Sequence, residues 1–251
     1  MASAAARVRL MINAISVPRA AQARYVMNYL YVFRHLPYPY VRVSDQPLRF
    51  DAQMALHSPK KSRHYRGMEE VTIRPARASD ARGIARLDVE TWRTTYAGVL
   101  SSAYLVGLSE RRREAGWRRV ILHEPRDVRV AVDRSGAVLG FGSCGPNRTD
   151  RFFAGEVFTL YVAPDHQNRG IGRRLLIALF RRLVATGRHS AVLWVLRDNP
   201  SRFFYERLGA RQVSRKALPV GGMSVEAIAY GWRNLPGFLA EVSSEDRESE
   251  S

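Results

Sequence analysis

The residues whose types and spacing point most directly to chemistry lie in Leu160-Tyr161-Val162-Ala163-Pro164-Asp165-His166-Gln167-Asn168-Arg169-Gly170-Ile171-Gly172-Arg173-Arg174. An apolar run ends at Pro164, which cannot donate to a sheet ladder. A polar turn with two glycines then leads into a helix. Ile171, Leu175, Leu176, Leu179, Phe180 and Leu183 fall on one side of that helix, and Arg173, Arg174, Arg181 and Arg182 on the other. Its first turn offers backbone N–H groups without intrahelical partners and the positive end of the helix dipole. Glycines at the mouth let an anion come close, which is the physics of a phosphate cradle. The plainer reading is a strand–turn–helix whose glycines serve only the turn. Residue type excludes two other phosphate loops. A dinucleotide fingerprint needs a third glycine where Leu175 stands. A Walker A loop needs Gly-Lys-Ser/Thr, a run the chain lacks.

The surrounding pattern supplies elements to hold this turn. Val71–Arg74 reads as a strand, and a helix capped by Ser79 or Asp80 runs towards Trp92. Further helix covers about Ser102–Leu122. Val128–Val132 and Ala137–Gly142 form a hairpin around Asp133-Arg134-Ser135-Gly136. Phe153–Val162 is a long strand, Arg169–Thr186 a helix, Ser190–Leu196 a strand and Pro200–Leu208 a helix. Two last strands lie near Arg211–Lys216 and Ser224–Trp232. The expected class is α/β with a mixed sheet.

Several motifs along this order are shared with one family. Leu160-Tyr161-Val162-x-Pro164 followed by Gln167-x-x-Gly170-x-Gly172 resembles the pyrophosphate-binding motif of the GNAT superfamily of acyl-CoA N-acetyltransferases. Leu193-Trp194-Val195-Leu196-x-x-Asn199-Pro200 and Phe204-Tyr205-Glu206-Arg207-Leu208-Gly209 resemble its next strand and helix. Ile73-Arg74-Pro75-Ala76 resembles its opening, and Glu226-x-x-x-Tyr230-Gly231-Trp232 its closing strand. The resemblance covers about residues 71–235.

It implies a mostly antiparallel seven-stranded sheet with flanking helices and one splayed parallel strand pair. The pantetheine arm of acetyl-CoA would lie in the gap, along the backbone of Leu160, Tyr161 and Val162. The pyrophosphate would rest on the loop of Gln167, Asn168, Arg169, Gly170, Ile171, Gly172 and Arg173, with Arg169 and Arg173 adding charge. Glu156 stands where family members often carry the carboxylate that deprotonates the amine; the alternative is a strand-end glutamate in solvent. Tyr205 matches the tyrosine that protonates the CoA sulfur, and could also be a core aromatic beside Phe203 and Phe204. Asn199 would touch the pantetheine, although with Pro200 it also makes a ready helix cap. It stands one position closer to Tyr205 than is common in the family. Trp92 and Tyr96, four apart, either line the acceptor pocket or pack the helix. The implied reaction is direct acetyl transfer to a primary amine in a ternary complex, without a metal. The acceptor is a small molecule or a peptide amine, and the protein acts as monomer or homodimer.

Composition bounds these readings. The chain has 251 residues, with 46% apolar, enough for a core. Forty Lys+Arg against 23 Asp+Glu give +17, a balance suited to anionic partners or the mark of an arginine-rich composition. Cys144, the single cysteine, excludes a disulfide framework and fits a cytoplasmic location. No run approaches the roughly 20 apolar residues of a membrane span. Residues 1–67 carry eleven Lys+Arg and two acids and show no sustained period. They read as a basic, disordered leader: an upstream start, a presequence or a nucleic-acid arm. The domain is expected over 68–236, with an acidic, disordered tail over 237–251. A rival reading keeps acetyl-CoA as the ligand of a non-catalytic module whose basic surface binds nucleic acid.

Overall fold

The computed structural model describes residues 70–124, 126–148 and 152–248. The leader expected over 1–67 lies outside them. β1 (Thr72–Pro75) is followed by a short 3-10 turn and α1 (Ala81–Thr95), then α2 (Ser102–Val106) and α3 (Glu110–His123). β2 (Val128–Val132), β3 (Val138–Pro146) and β4 (Gly155–Val162) lead to α4 (Ile171–Val184). β5 (Ala191–Leu196), α5 (Arg202–Arg207), β6 (Arg211–Val220), β7 (Met223–Trp232) and α6 (Leu235–Glu248) complete the described residues.

The seven strands form one sheet in the order β1-β2-β3-β4-β5-β7-β6. Every neighbouring pair is antiparallel except β4 and β5. This is the mixed sheet with a single parallel pair that the sequence implied. Helices cover both faces. On one, α4 buries Leu176, Leu179, Phe180 and Leu183 against Cys144, Val157 and Leu193. On the other, Ala81, Ile84 and Leu87 of α1 and Ile121 of α3 meet Val128, Val130 and Phe141. No helix among the described residues is long and apolar enough to cross a membrane.

Two elements differ from the sequence reading. The single helix expected over 102–122 is two, because the chain restarts at a second serine cap. Ser101 Oγ accepts from the Tyr104 N–H and Ser109 Oγ from the Arg112 N–H, both at 3.3 Å. The acidic tail, expected to be disordered from 237, is helical to Glu248. Leu235, Phe238, Leu239 and Val242 recur at helical spacing; Leu235 and Val242 are buried, while Phe238 and Leu239 pack on the α4 core. Phe238 meets Phe180 edge to face at 5.5 Å. Acidic composition is satisfied on the outer face, where Glu241 and Glu245 are exposed.

Candidate active site

β4 and β5 pair over only three positions, Gly155↔Ala191, Glu156↔Val192 and Val157↔Leu193. Beyond them the strands part. The cause is local: between Ser143↔Thr159 and Cys144↔Val157, β4 spends one more residue than β3, so Phe158 is a bulge. A bulge bends its strand and increases the twist, which turns the second half of β4 away from β5. Its edge there is left without a strand partner on the β5 side.

Between the parted strands lies a cleft open to solvent. Val157–Val162 form one wall and Leu193–Val195 the other. Thr91, Thr95 and Tyr96 close it from α1, Gln167 from the turn after β4, and Asn199, Ser201 and Tyr205 from the start of α5. Leu160, Tyr161, Val162, Gln167, Asn199, Tyr205 and Tyr96, all expected at the site, are therefore brought together. Leu160 and Val162 side chains pack towards α4, whereas the Tyr161 ring packs the other way, 5.5 Å from Phe141. Gln167 Nε2 donates to Val162 O at 3.1 Å, which ties the turn to the end of the strand.

Past Gln167 the backbone takes the left-handed region twice, at Asn168 (φ 59°) and Gly170 (φ 76°). Gly170 is the residue before α4, and no side chain caps that helix. A Cβ built on Gly170 would meet no atom within 4 Å. Asn168 and Arg169 are exposed, Ile171 is buried in the core, and Gly172 is half-buried. With a bare Gly170 and no side-chain cap, the first turn of α4 has its backbone N–H groups uncovered by the turn, as an anion cradle requires. Arg173 Nη2 bonds Glu245 of α6 at 3.0 Å.

Tyr205 is 7% exposed and Tyr96 6%. Burial raises the Tyr205 phenol well above its ordinary value, and a charge on Tyr96 would raise it further. Burial also raises Tyr96, against the hydrogen bond from Asn199. Both phenols hold their protons at neutral pH. Asn199 is 7% exposed, with both polar ends engaged: Oδ1 accepts from the Ser201 N–H at 2.8 Å, and Nδ2 donates to Tyr96 Oη at 3.1 Å. The helix cap expected at Asn199-Pro200 is not formed: α5 starts only at Arg202, with Ser201 before it and no side chain capping it. Asn199 Oδ1 instead closes a local turn ahead of the helix, while its amide nitrogen reaches across to Tyr96.

Two expected residues lie elsewhere. Trp92 is packed edge-on against Tyr96 (5.1 Å) and Tyr104 (6.2 Å). Glu156 does not line the cleft and is not in solvent. It is 4% exposed, and its carboxylate accepts from the Arg148 N–H at 3.0 Å, Nε at 3.3 Å and Nη2 at 2.8 Å. Cys144 is buried, and burial pushes its thiol up to about 12. Sequence reasoning missed Thr91 and Thr95. Their signal was their own spacing, four apart on one face of the helix and respectively five and one positions before Tyr96. Thr91 Oγ1 is buried without a hydrogen bond partner among the described residues.

A cleft between splayed parallel strands, with an open left-handed turn leading into an uncapped helix at the end of one and a buried phenol in its wall, is the arrangement that suits an α/β acyltransferase. The comparisons agree. The profile of the acetyltransferase (GNAT) family matches residues 88–210. The chain is 33% identical over 166 residues to the uncharacterized N-acetyltransferase YuaI of Bacillus subtilis (strain 168), covering 66% of this chain and 94% of that protein. It is 35% identical over 109 residues to phosphinothricin N-acetyltransferase of Streptomyces coelicolor, covering 38% of this chain and 64% of that one. The fold is similar to that of YncA from Salmonella typhimurium, solved with acetyl-CoA: TM-score 0.50, 24% identity, 66% of this chain and 94% of that one. The chain belongs to the GNAT acetyltransferase family.

Proposed function

We propose that the protein transfers the acetyl group of acetyl-CoA to the primary amine of a small molecule, by direct attack with both substrates bound. The observation that carries this is one continuous path: the open left-handed turn at Asn168–Gly170, the unpaired edge of Leu160–Val162, and Tyr205 at the cleft wall. The turn and the first N–H groups of α4 hold the pyrophosphate, with Arg169 and Arg173 nearby as charge. The free edge of β4 bonds the pantetheine amides like an added strand. Tyr205, kept protonated by burial, gives its proton to the departing sulfur. Direct attack is supported by Cys144, whose buried thiol, pushed up to about 12, is no thiolate at neutral pH.

A small-molecule acceptor is supported by the similarity to phosphinothricin N-acetyltransferase. The acceptor would enter where Thr91, Thr95 and Tyr96 close the cleft. The test is release of free CoA thiol from acetyl-CoA against a panel of primary amines that includes phosphinothricin and the amino acids. Mass spectrometry would identify the acetylated product. Amine-dependent release with intersecting initial-rate patterns is expected. CoA binding without amine-dependent release across the panel would support the non-catalytic reading instead.

A further inference from the structure

We infer that Tyr96 is a second donor to the reacting sulfur: Asn199 turns its phenolic proton into the cleft, where it bonds the thiolate as Tyr205 delivers the proton. The inference rests on the acetyl-transfer reading and adds a residue to it. The direction of each hydrogen follows from Asn199. Its Oδ1 accepts from the Ser201 N–H at 2.8 Å, so its amide nitrogen is the end that meets Tyr96, at 3.1 Å. A phenol has one proton to give and lone pairs to receive. Tyr96 Oη receives from Asn199, so its own proton is left for another acceptor, and the space beside it is the cleft.

The ring is held for that task. Tyr96 ends α1, its N–H bonds the Trp92 carbonyl at 3.2 Å, and Trp92 packs edge-on against it. The two phenols also divide the work. Each is raised by burial, and a charge on Tyr96 raises Tyr205 further, so the pair does not ionise together. In the step, the amine nitrogen bonds the thioester carbonyl carbon, the C–S bond breaks, and its electron pair leaves on sulfur. Tyr205 transfers a proton to that sulfur and regains one from solvent, while the amine releases its extra proton to solvent. Tyr96 keeps its proton throughout and lowers the energy of the charge on sulfur, as a preorganised donor does.

The test compares Tyr96→Phe, Asn199→Asp and the double variant, each checked for melting temperature and CoA affinity. An aspartate still accepts from the Ser201 N–H but, ionised, receives from the Tyr96 hydroxyl and turns it out of the cleft. Tyr96→Phe should lower kcat about 10²-fold, as loss of one such donor does, with KM for acetyl-CoA unchanged within about twofold. Asn199→Asp should approach that loss, and the double variant should be no slower than Tyr96→Phe, because both remove the same bond. Losses that multiply would overturn the role of Asn199.

A second readout needs no turnover. The thiol of bound CoA, followed by its ultraviolet thiolate absorbance, should ionise about one pH unit higher in Tyr96→Phe than in the unsubstituted protein. That shift supports the inference even if no amine is acetylated, in which case the functional reading alone fails. An unshifted thiol in Tyr96→Phe would overturn the inference, even with the acetyl-transfer reading intact.

Discussion

Replacing Gly170 by alanine separates the cradle from the turn that forms it. Gly170 has φ 76°, and a Cβ there meets no protein atom within 4 Å. The protein's own loss is therefore backbone strain alone, about 1–2 kcal/mol for a left-handed non-glycine residue. Gly187 is a matched control, with φ 77° and equally open space. It lies just past the far end of α4, whose 14 residues span about 21 Å at the usual helical rise. Both alanine variants should lose about 2–8 °C in melting temperature, at 2–4 °C per kcal/mol. CoA affinity should distinguish them. A methyl group at the mouth of the cradle pushes phosphate off the first-turn N–H groups. One such bond to a charged group is worth about 1.5–3 kcal/mol, or about 10–100-fold in Kd. Calorimetric titration of CoA into each variant is the assay. Equal melting losses with equal CoA affinities would show that Gly170 serves only the turn.

Three further outcomes follow from the same geometry. Tyr205→Phe removes only the phenolic oxygen, so CoA affinity should persist while kcat falls about 10²-fold; a kcat within about threefold of normal, by the usual range for such acids, would remove the acid role. Cys144, with its thiol pushed up to about 12 and buried, should stay unalkylated by iodoacetamide at mildly alkaline pH until the protein is unfolded; native-state labelling on mass spectrometry would contradict its burial. Burial raises the Asp80 carboxyl, but the bonds from Arg74 and the Arg77 N–H outweigh it and hold the group below its ordinary value. Its stabilisation is thus present at neutral pH and lost as pH falls through the lowered value. Asp80→Asn should cost about 2 kcal/mol at neutral pH and progressively less below the ordinary carboxylate range, as urea unfolding would read.

The glycine turn and the strands were legible because each is written locally. The two-residue offset of Gly170 and Gly172, and the run of apolar positions along α4, are properties of short windows. So is the β2–β3 hairpin, whose turn at Asp133–Gly136 closes with the Asp133 N–H bonding the Ala137 carbonyl at 3.1 Å. What escaped the sequence depends on partners far along the chain. The tail helix exists because Phe238 finds Phe180, and charge counting over 237–251 hides Phe238, Leu239 and Val242, three apolar residues at helical spacing. The bulge at Phe158 shows only when β4 is laid against β3. Strict alternation along a regular strand would put Glu156 on the face of Leu160 and Val162, and an extra residue in between ends that alternation. The link from Asn199 to Tyr96 spans 103 positions, and nothing in either neighbourhood announces it.

Glu156 is where this displacement matters most for mechanism. Its carboxylate accepts three bonds from Arg148, and the Arg148 guanidinium lies 3.7 Å over the Phe158 ring, the bulged residue itself. The pair thus clamps the point where β4 leaves β5, and the expected role of Glu156 is to hold the cleft open. Removing one partner shows which role it has. Arg148→Gln leaves a carboxylate that is 4% exposed without its counter-ion, a change that costs about 3–5 kcal/mol in buried pairs. Glu156→Gln leaves a guanidinium with 21% of its side chain exposed, able to reach water, so about 1–2 kcal/mol is expected. The double variant should recover part of the Arg148→Gln loss, because it removes the stranded charge. Under this role Glu156→Gln lowers kcat by the same factor at every pH, alongside its lower melting temperature. If instead the melting temperature holds and the kcat loss is confined to low pH, vanishing where the acceptor amine is already neutral, the carboxylate takes the amine's proton. The Arg148 bonds would then have to open during turnover.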